Sequence, residues 1–260
     1  MKEEAMNRKW IVLAGAALLA LLAAGCSSGT GQRTAEDQTE AEHSETAGII
    51  VGFSQVGQES DWRIANSQSM QETFTSEEGY YLLFEDAQQK QEKQIKALRN
   101  FILQEVDYIV LNPIVENGWG AVLQEAKEAG IPVIMADRMA KVDEDSYTCW
   151  VGSDFELEAE NAGKWLEEYL KKQGREDEEI TIVTLQGTPG STAQLGRTKG
   201  FASVLKQHPN WKMLAKKSGD FTQAKGKEVM ELFLRDFPDI DVVVSENDNM
   251  TFGAIEAIKQ

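Results

Sequence analysis

Glu59, Ser60, Asp61, Trp62 and Arg63 run together in the segment SQVGQESDWR. Further along, Asp137 and Arg138 are adjacent in IMADR, Arg197 stands in GTPGSTAQLGRTKGF, Phe221 in SGDF, and Asn247 with Asp248 in SENDNM. A carboxylate accepts hydrogen bonds from two neighbouring hydroxyls, a guanidinium donates in a planar fork, and an aromatic ring covers an apolar C–H face. That set of groups is what gripping a polyol requires. Asp137 and Arg138 are expected to hold each other's geometry as well as the ligand. Taken singly, each residue has a plainer explanation: a Trp near a helix start more often packs, and an Asp-Arg pair after a strand more often caps a helix or forms a surface ion pair. Recurrence of such groups, not any one of them, points to a site.

Other chemistries find less support. Glu59, Glu85, Asp86, Asp137 and Asp220 could supply two carboxylates for glycoside hydrolysis, yet nothing marks one pair over the others. His43 lies in a polar stretch and His208 in QHPN, without the spacing of a metal site or a nucleophilic triad, so no catalytic residue, metal or cofactor is expected. The GTPGS segment lacks the following Lys of a phosphate loop and reads as a tight turn. A net charge of −17 with no clustered Lys or Arg argues against nucleic acid, and an anionic membrane surface would repel the chain.

The elements that must position these groups follow from two alternating apolar periods. Short β-rich runs occur at 49–53, 80–84, 108–111, 133–136, 180–185 and 242–245. Between them, helical patterns cover 61–76, 88–104, 119–129, 156–173, 192–208, 223–236 and 250–259. In the second of these, Ile95, Leu98, Ile102 and Leu103 are expected on one stripe and Lys90, Glu92 and Lys93 on another. Gly130 followed by Pro132 stops a helix before a strand. This alternation predicts an α/β fold, a parallel sheet covered by helices on both faces. Ligands of such sheets sit beyond the carboxyl ends of the strands, where the groups above fall.

The N-terminal region reads differently. Basic residues Lys2, Arg8 and Lys9 precede an apolar run from Trp10 to Gly25 that is too short for a membrane span and ends at Cys26. Residues 1–25 are therefore expected to be a cleaved signal peptide. Residues 26–47 carry no large apolar group and are expected to form a disordered acidic spacer. From Gly48 onward the chain is long enough for a two-lobed body or one large domain. Cys149 is the other Cys; no disulfide can form within the folded part, and a buried, small apolar role is expected for it.

The strings VGFSQVGQESDWR, DAQQKQEKQIKALRNF, IPVIMADR, LQGTPGSTAQLGRTKGF, SGDFTQAKGKEVME and NDNMTFGAIEAIK together resemble the type I periplasmic sugar-binding proteins of ABC importers. The likeness is to the galactofuranose-binding branch and, more distantly, to the ribose binders. It implies two doubly wound parallel-sheet lobes joined by a hinge, over 48–152 and 153–260, closing on one monosaccharide and docking on a membrane permease. It further implies a loop at Glu59, Ser60, Asp61, Trp62 and Arg63, with Trp62 stacking on the sugar and Arg63 and Glu59 bonding hydroxyls. Asp137 and Arg138 match an acid and base pair, Arg197 the Arg before K-G-F, Asn247 the Asn of N-D-x-M, and Phe221 an aromatic that closes over the sugar. Asp61 departs from the Gly of the galactofuranose likeness. The family's chain continues past the N-D-x-M helix, so both lobes are expected to be incomplete at Gln260. The signal resembles that of bacterial lipoproteins, with Cys26 acylated and Ala23 replacing a commoner Leu, which implies a monomer held to the outer face of the membrane by lipid alone. A sensor feeding a membrane kinase is the alternative.

Overall fold

The computed structural model describes residues 48–260. The signal, Cys26 and the spacer lie outside the described residues. Five strands form the first sheet: β1 (Ile49–Gln55), β2 (Tyr80–Asp86), β3 (Tyr108–Leu111), β4 (Val133–Ala136) and β5 (Cys149–Val151). Their order is β2-β1-β3-β4-β5, and every pairing is parallel. Helix α1 (Asp61–Thr73) follows β1, α2 (Gln91–Leu103) follows β2, and α3 (Gly120–Glu128) follows β3. The strands are nearly continuous apolar runs because both faces are covered. Ile109, Leu111, Val133 and Met135 pack with Leu98, Phe101, Val122 and Leu123 of α2 and α3. On the opposite face Val51, Phe53 and Val110 meet Met70 of α1 and Phe74 just beyond it.

After β5 the chain crosses through Gly152 and Ser153 into α4 (Phe155–Lys172), whose N-cap Asp154 accepts from Leu157 N–H. Then come β6 (Ile180–Gln186), α5 (Thr192–Leu205), β7 (Trp211–Ser218), α6 (Gln223–Asp236), β8 (Val242–Ser245) and α7 (Asp248–Ile258). The second sheet is again parallel, in the order β7-β6-β8. Alternate residues of the central β6 serve opposite faces. Ile180 and Ile182 pack on Leu166 and Leu170 of α4 and Phe201 and Val204 of α5, while Val183 and Leu185 pack on Phe233 of α6 and Met250 of α7.

The α/β alternation predicted from periodicity is the fold observed, and the differences are local. Strand β5 is a three-residue edge, too short to show a pattern. Strand β7 carries Lys212, Lys216 and Lys217 in WKMLAKKS; an edge strand needs only partial burial, and its lysines deter pairing with other chains. Cys149 lies on that short β5 edge and is exposed, which corrects the buried role expected for it. The buried stripe of α2 is also rotated from the expectation. It consists of Gln94, Ala97, Leu98 and Phe101, whereas Leu103 is 81% exposed. Gly52 on β1 explains the rotation, because the Phe101 ring occupies the space its missing side chain leaves; a Cβ there would stand 2.5 Å from the ring. Gln94 turns inward because strand ends need partners: its amide donates to Asn112 O at 2.7 Å and accepts from Ile114 N–H at 3.0 Å. Among the described residues no helix is long and apolar enough to cross a membrane.

Candidate ligand-binding cleft

The carboxyl ends of β1, β4, β6, β7 and β8 open onto one cleft of about 490 Å³ between the two sheets. The ten residues expected to meet the ligand all line it, Glu59, Ser60, Asp61, Trp62, Arg63, Asp137, Arg138, Arg197, Phe221 and Asn247, and so does Asp248. Glu85, Asp86 and Asp220 do not. Asp86 receives Gln88 N–H and the Gln58 amide, and Asp220 pairs with Lys225.

The first-sheet wall is a four-charge cluster. Ser60 caps α1 by accepting from Arg63 N–H, which places Arg63 on the first helical turn, facing inward. Arg63 Nη2 donates to Asp137 Oδ2 at 2.7 Å and Nε to Glu59 Oε1 at 3.4 Å. The Asn112 amide, oriented by its partners, accepts from Arg63 Nη1 at 3.0 Å and donates to Ala136 O at 2.8 Å. Arg138 Nη1 donates to Ile114 O at 3.1 Å, and its Nη2 lies 3.6 Å from Glu59 Oε1. The side chains of Glu59, Arg63 and Arg138 are 1%, 3% and 3% exposed, so these charges persist only because two acids balance two bases. Burial, together with the neighbouring Arg63 cation, brings the Arg138 guanidinium down to about 10, still charged at neutral pH.

The pairing differs from the one adjacency suggested. Asp137 Oδ2 is 4.0 Å from Arg138 Nε, and its close partner is Arg63. Asp137 sits at φ +60°, a left-handed conformation that turns consecutive side chains apart, and Asp tolerates it better than most residues. Two buried atoms of the cluster, Arg138 Nε and Glu59 Oε2, have no hydrogen-bond partner in the protein. Each unmet group costs about 1–3 kcal/mol. A hydroxyl group, donor and acceptor at once, can meet either need.

The second-sheet wall carries the aromatic surface. Phe221 is buried and lies at φ +62°, directly after Asp220 at φ +49°. Such backbone strain in a bulky residue costs about 1–3 kcal/mol and is characteristic of functional positions. Asn247 secures the turn, donating to Phe221 O at 2.9 Å while its side-chain oxygen caps α7 at Met250 N–H. The Arg138 guanidinium stands over the Phe221 ring at 5.2 Å, across the cleft. Arg197 lies 4.8 Å over Phe155 and pairs with Glu158 at 3.0 Å. Trp62 is 55% exposed at the mouth, with Arg63 4.8 Å from its ring. The walls touch directly: Asp61 N–H donates to Asn249 Oδ1 at 3.2 Å, Glu116 N–H to Gly190 O at 2.9 Å, and Met139 N–H to the Thr192 hydroxyl at 3.0 Å.

Sequence reasoning missed Ser153, Phe155, Glu158, Thr198, Glu246 and Asn249, which also line the cleft. Glu246 and Asn249 were within reach, since SENDNM directly follows a strand. Phe155 and Glu158 come from the crossover helix, which the strand-end rule does not cover.

Two parallel α/β sheets with one charged and aromatic cleft at their strand ends have the layout of a binding protein. Residues 51–260 match the model of the periplasmic binding protein domain, and the chain belongs to that family. It is 44% identical over 218 residues to the galactofuranose-binding protein YtfQ of Escherichia coli (strain K12), covering 82% of this chain and 67% of that one. Against the ribose import binding protein RbsB of Bacillus subtilis (strain 168) it is 32% identical, covering 69% of this chain and 56% of the relative's length. A crystal structure from Mycobacterium smegmatis in complex with β-D-fucofuranose superposes with a TM-score of 0.77 at 46% identity, over 81% of this chain and 68% of that one. The Escherichia coli and Bacillus subtilis relatives bear the names of binding proteins, and no catalytic family is indicated.

Proposed function

We propose that this protein binds a monosaccharide in furanose form between its two halves and delivers it to the permease of an ABC importer. The observation that carries this reading is the neutral cluster Glu59–Arg63–Asp137–Arg138 facing the strained Phe221 across one cleft. Arg63 has each of its three guanidinium nitrogens on a protein acceptor, so it fixes Glu59, Asp137 and Asn112 for the ligand. Asp137 and Arg138 Nε contact hydroxyls, and Phe221 and Trp62 cover the C–H faces. The furanose preference is supported by relatives of 44% and 46% identity that are named for galactofuranose and solved with fucofuranose, against 32% for a ribose binder.

The halves, 48–152 and 153–260, move about the crossover at Gly152 and Ser153. A ligand touching both walls favours closure because those contacts exist only in the closed form. Trp62 at the mouth reports it: galactofuranose or a close furanose should change intrinsic Trp fluorescence saturably, and flat titrations across furanose and pyranose hexoses and pentoses would sink the reading.

Outside the described residues, Cys26 is the proposed lipid attachment point, holding a monomer on the extracytoplasmic face. Cys26→Ser should move the protein from the membrane fraction to the soluble one; retention of the variant after a salt wash would count against anchoring.

A further inference from the structure

Glu246 is a buried acid that the binding scheme above does not use. It follows β8 directly, continues that strand's ladder by donating its N–H to Leu185 O at 3.1 Å, is 5% exposed and lines the cleft. One carboxylate oxygen accepts from Gly187 N–H at 2.7 Å and the other from the Thr198 hydroxyl at 2.7 Å. That hydroxyl already accepts from the amides of Gln186 at 2.7 Å and Gln194 at 3.0 Å, so its single proton has to go to Glu246. Both partners of the acid therefore demand an acceptor.

Each partner supports a cleft wall. Gly187 lies against the Phe221 ring so closely that a Cβ would stand 1.8 Å from it. Thr198 follows Arg197 on α5, and Asn247, the next residue in the chain, holds Phe221 O. Glu246 thus joins the supports of Phe221, Arg197 and Asn247.

We propose that Glu246 is a positioning residue for the ligand, and that proton uptake by its carboxyl loosens the second-sheet wall and weakens binding. The inference rests on the sugar-binding reading and deepens it. A proton on either oxygen removes the charge that strengthens both bonds and makes that oxygen a poorer acceptor, so the acid form holds Gly187 N–H and the Thr198 hydroxyl less firmly. Burial pushes this carboxyl up to about 7, opposed by the two hydrogen bonds and by the cations Arg197 of α5 and Lys216 of β7. The other charged groups lining this wall are Glu158 of α4, which is engaged with Arg197, and Asp248 at the start of α7. With its folded value raised above the ordinary 4.5, Glu246 takes up its proton as the pH falls through about 7, inside the physiological range.

The test is calorimetric titration of the full chain with galactofuranose between pH 5.5 and 8.5, beside Glu246→Gln. A change of one unit in this carboxyl's pKa on binding corresponds to about tenfold in affinity. The native chain should bind about tenfold more weakly at the acid end, and the Gln variant should vary by less than about twofold. A flat native profile, or a variant that keeps the native slope, would overturn the inference. A chain that binds no monosaccharide at any pH would fail the sugar reading alone, and NMR of the ligand-free protein then decides. Gly187 amide and Phe221 ring signals that titrate together near pH 7 in the native chain, and not in the variant, support the role of Glu246; static signals overturn it.

Discussion

Arg63 shows why single side chains here cannot be assigned by type alone. The family resemblance implies that it bonds ligand hydroxyls, and in the fold it also joins Glu59, Asp137 and Asn112. Removing it strands two carboxylates, one of them 1% exposed, with Arg138 as the sole remaining cation of the cluster. Arg63→Ala should therefore cost about 3–5 kcal/mol of stability, the usual consequence of breaking a buried ion pair on one side. Urea denaturation measures this directly, and a loss below about 1 kcal/mol would show the cluster to be solvated and weakly coupled. The adjacency of Asp137 and Arg138 was legible, but their partners were not: a left-handed residue at the end of β4 sends the two side chains to different neighbours, and no spacing rule encodes that turn.

Strands and helices were read more faithfully than side chains because burial on both faces imposes long apolar runs, and the central strands β1, β3, β4 and β6 all show them. Where burial was partial the signal failed. Strand β7, interrupted by three lysines, and β5, with three residues, sit at sheet edges. Gln94 failed for another reason: a polar residue on a core face looks like a break in the stripe, and only the unmet backbone groups at the ends of β1 and β3 explain it. The junction of β6 with the β7 turn makes a sharper prediction. Gly187 leaves room for the Phe221 ring, so Gly187→Ala must push that ring out or strain the strand end. Overpacking of this kind costs about 1–3 kcal/mol. A thermal melt should show the loss, and sugar affinity should fall along with it. An unchanged melting temperature with native affinity would mean that the ring is free to move and that Phe221 is not a fixed wall of the cleft.

Across the molecule, the arrangement amounts to two preformed walls of different character. The first-sheet wall holds a hydrogen-bonded charge cluster that is neutral in sum, with Asp61 beside it; the second presents a strained aromatic and the cap of α7. Their direct contacts, Asp61 with Asn249, Glu116 with Gly190 and Met139 with Thr192, are few and polar, which suits halves that part and rejoin about a short crossover. Under the proposed function, a ring held between such walls would be selected by where its hydroxyls meet Asp137 and the Arg138 Nε, so ring size should matter more than the number of carbons. Isothermal titration calorimetry with methyl galactofuranoside and methyl galactopyranoside, whose rings cannot interconvert as those of the free sugar do, on the native chain and on Asp137→Ala, tests this most directly. Binding should show one saturable site, at least about tenfold tighter for the furanose, with about 2–5 kcal/mol lost in the variant because a charge-assisted acceptor is gone and the Arg63 cation loses its closest carboxylate. Tighter binding of the pyranose, or a variant within about threefold of the native affinity, would contradict it.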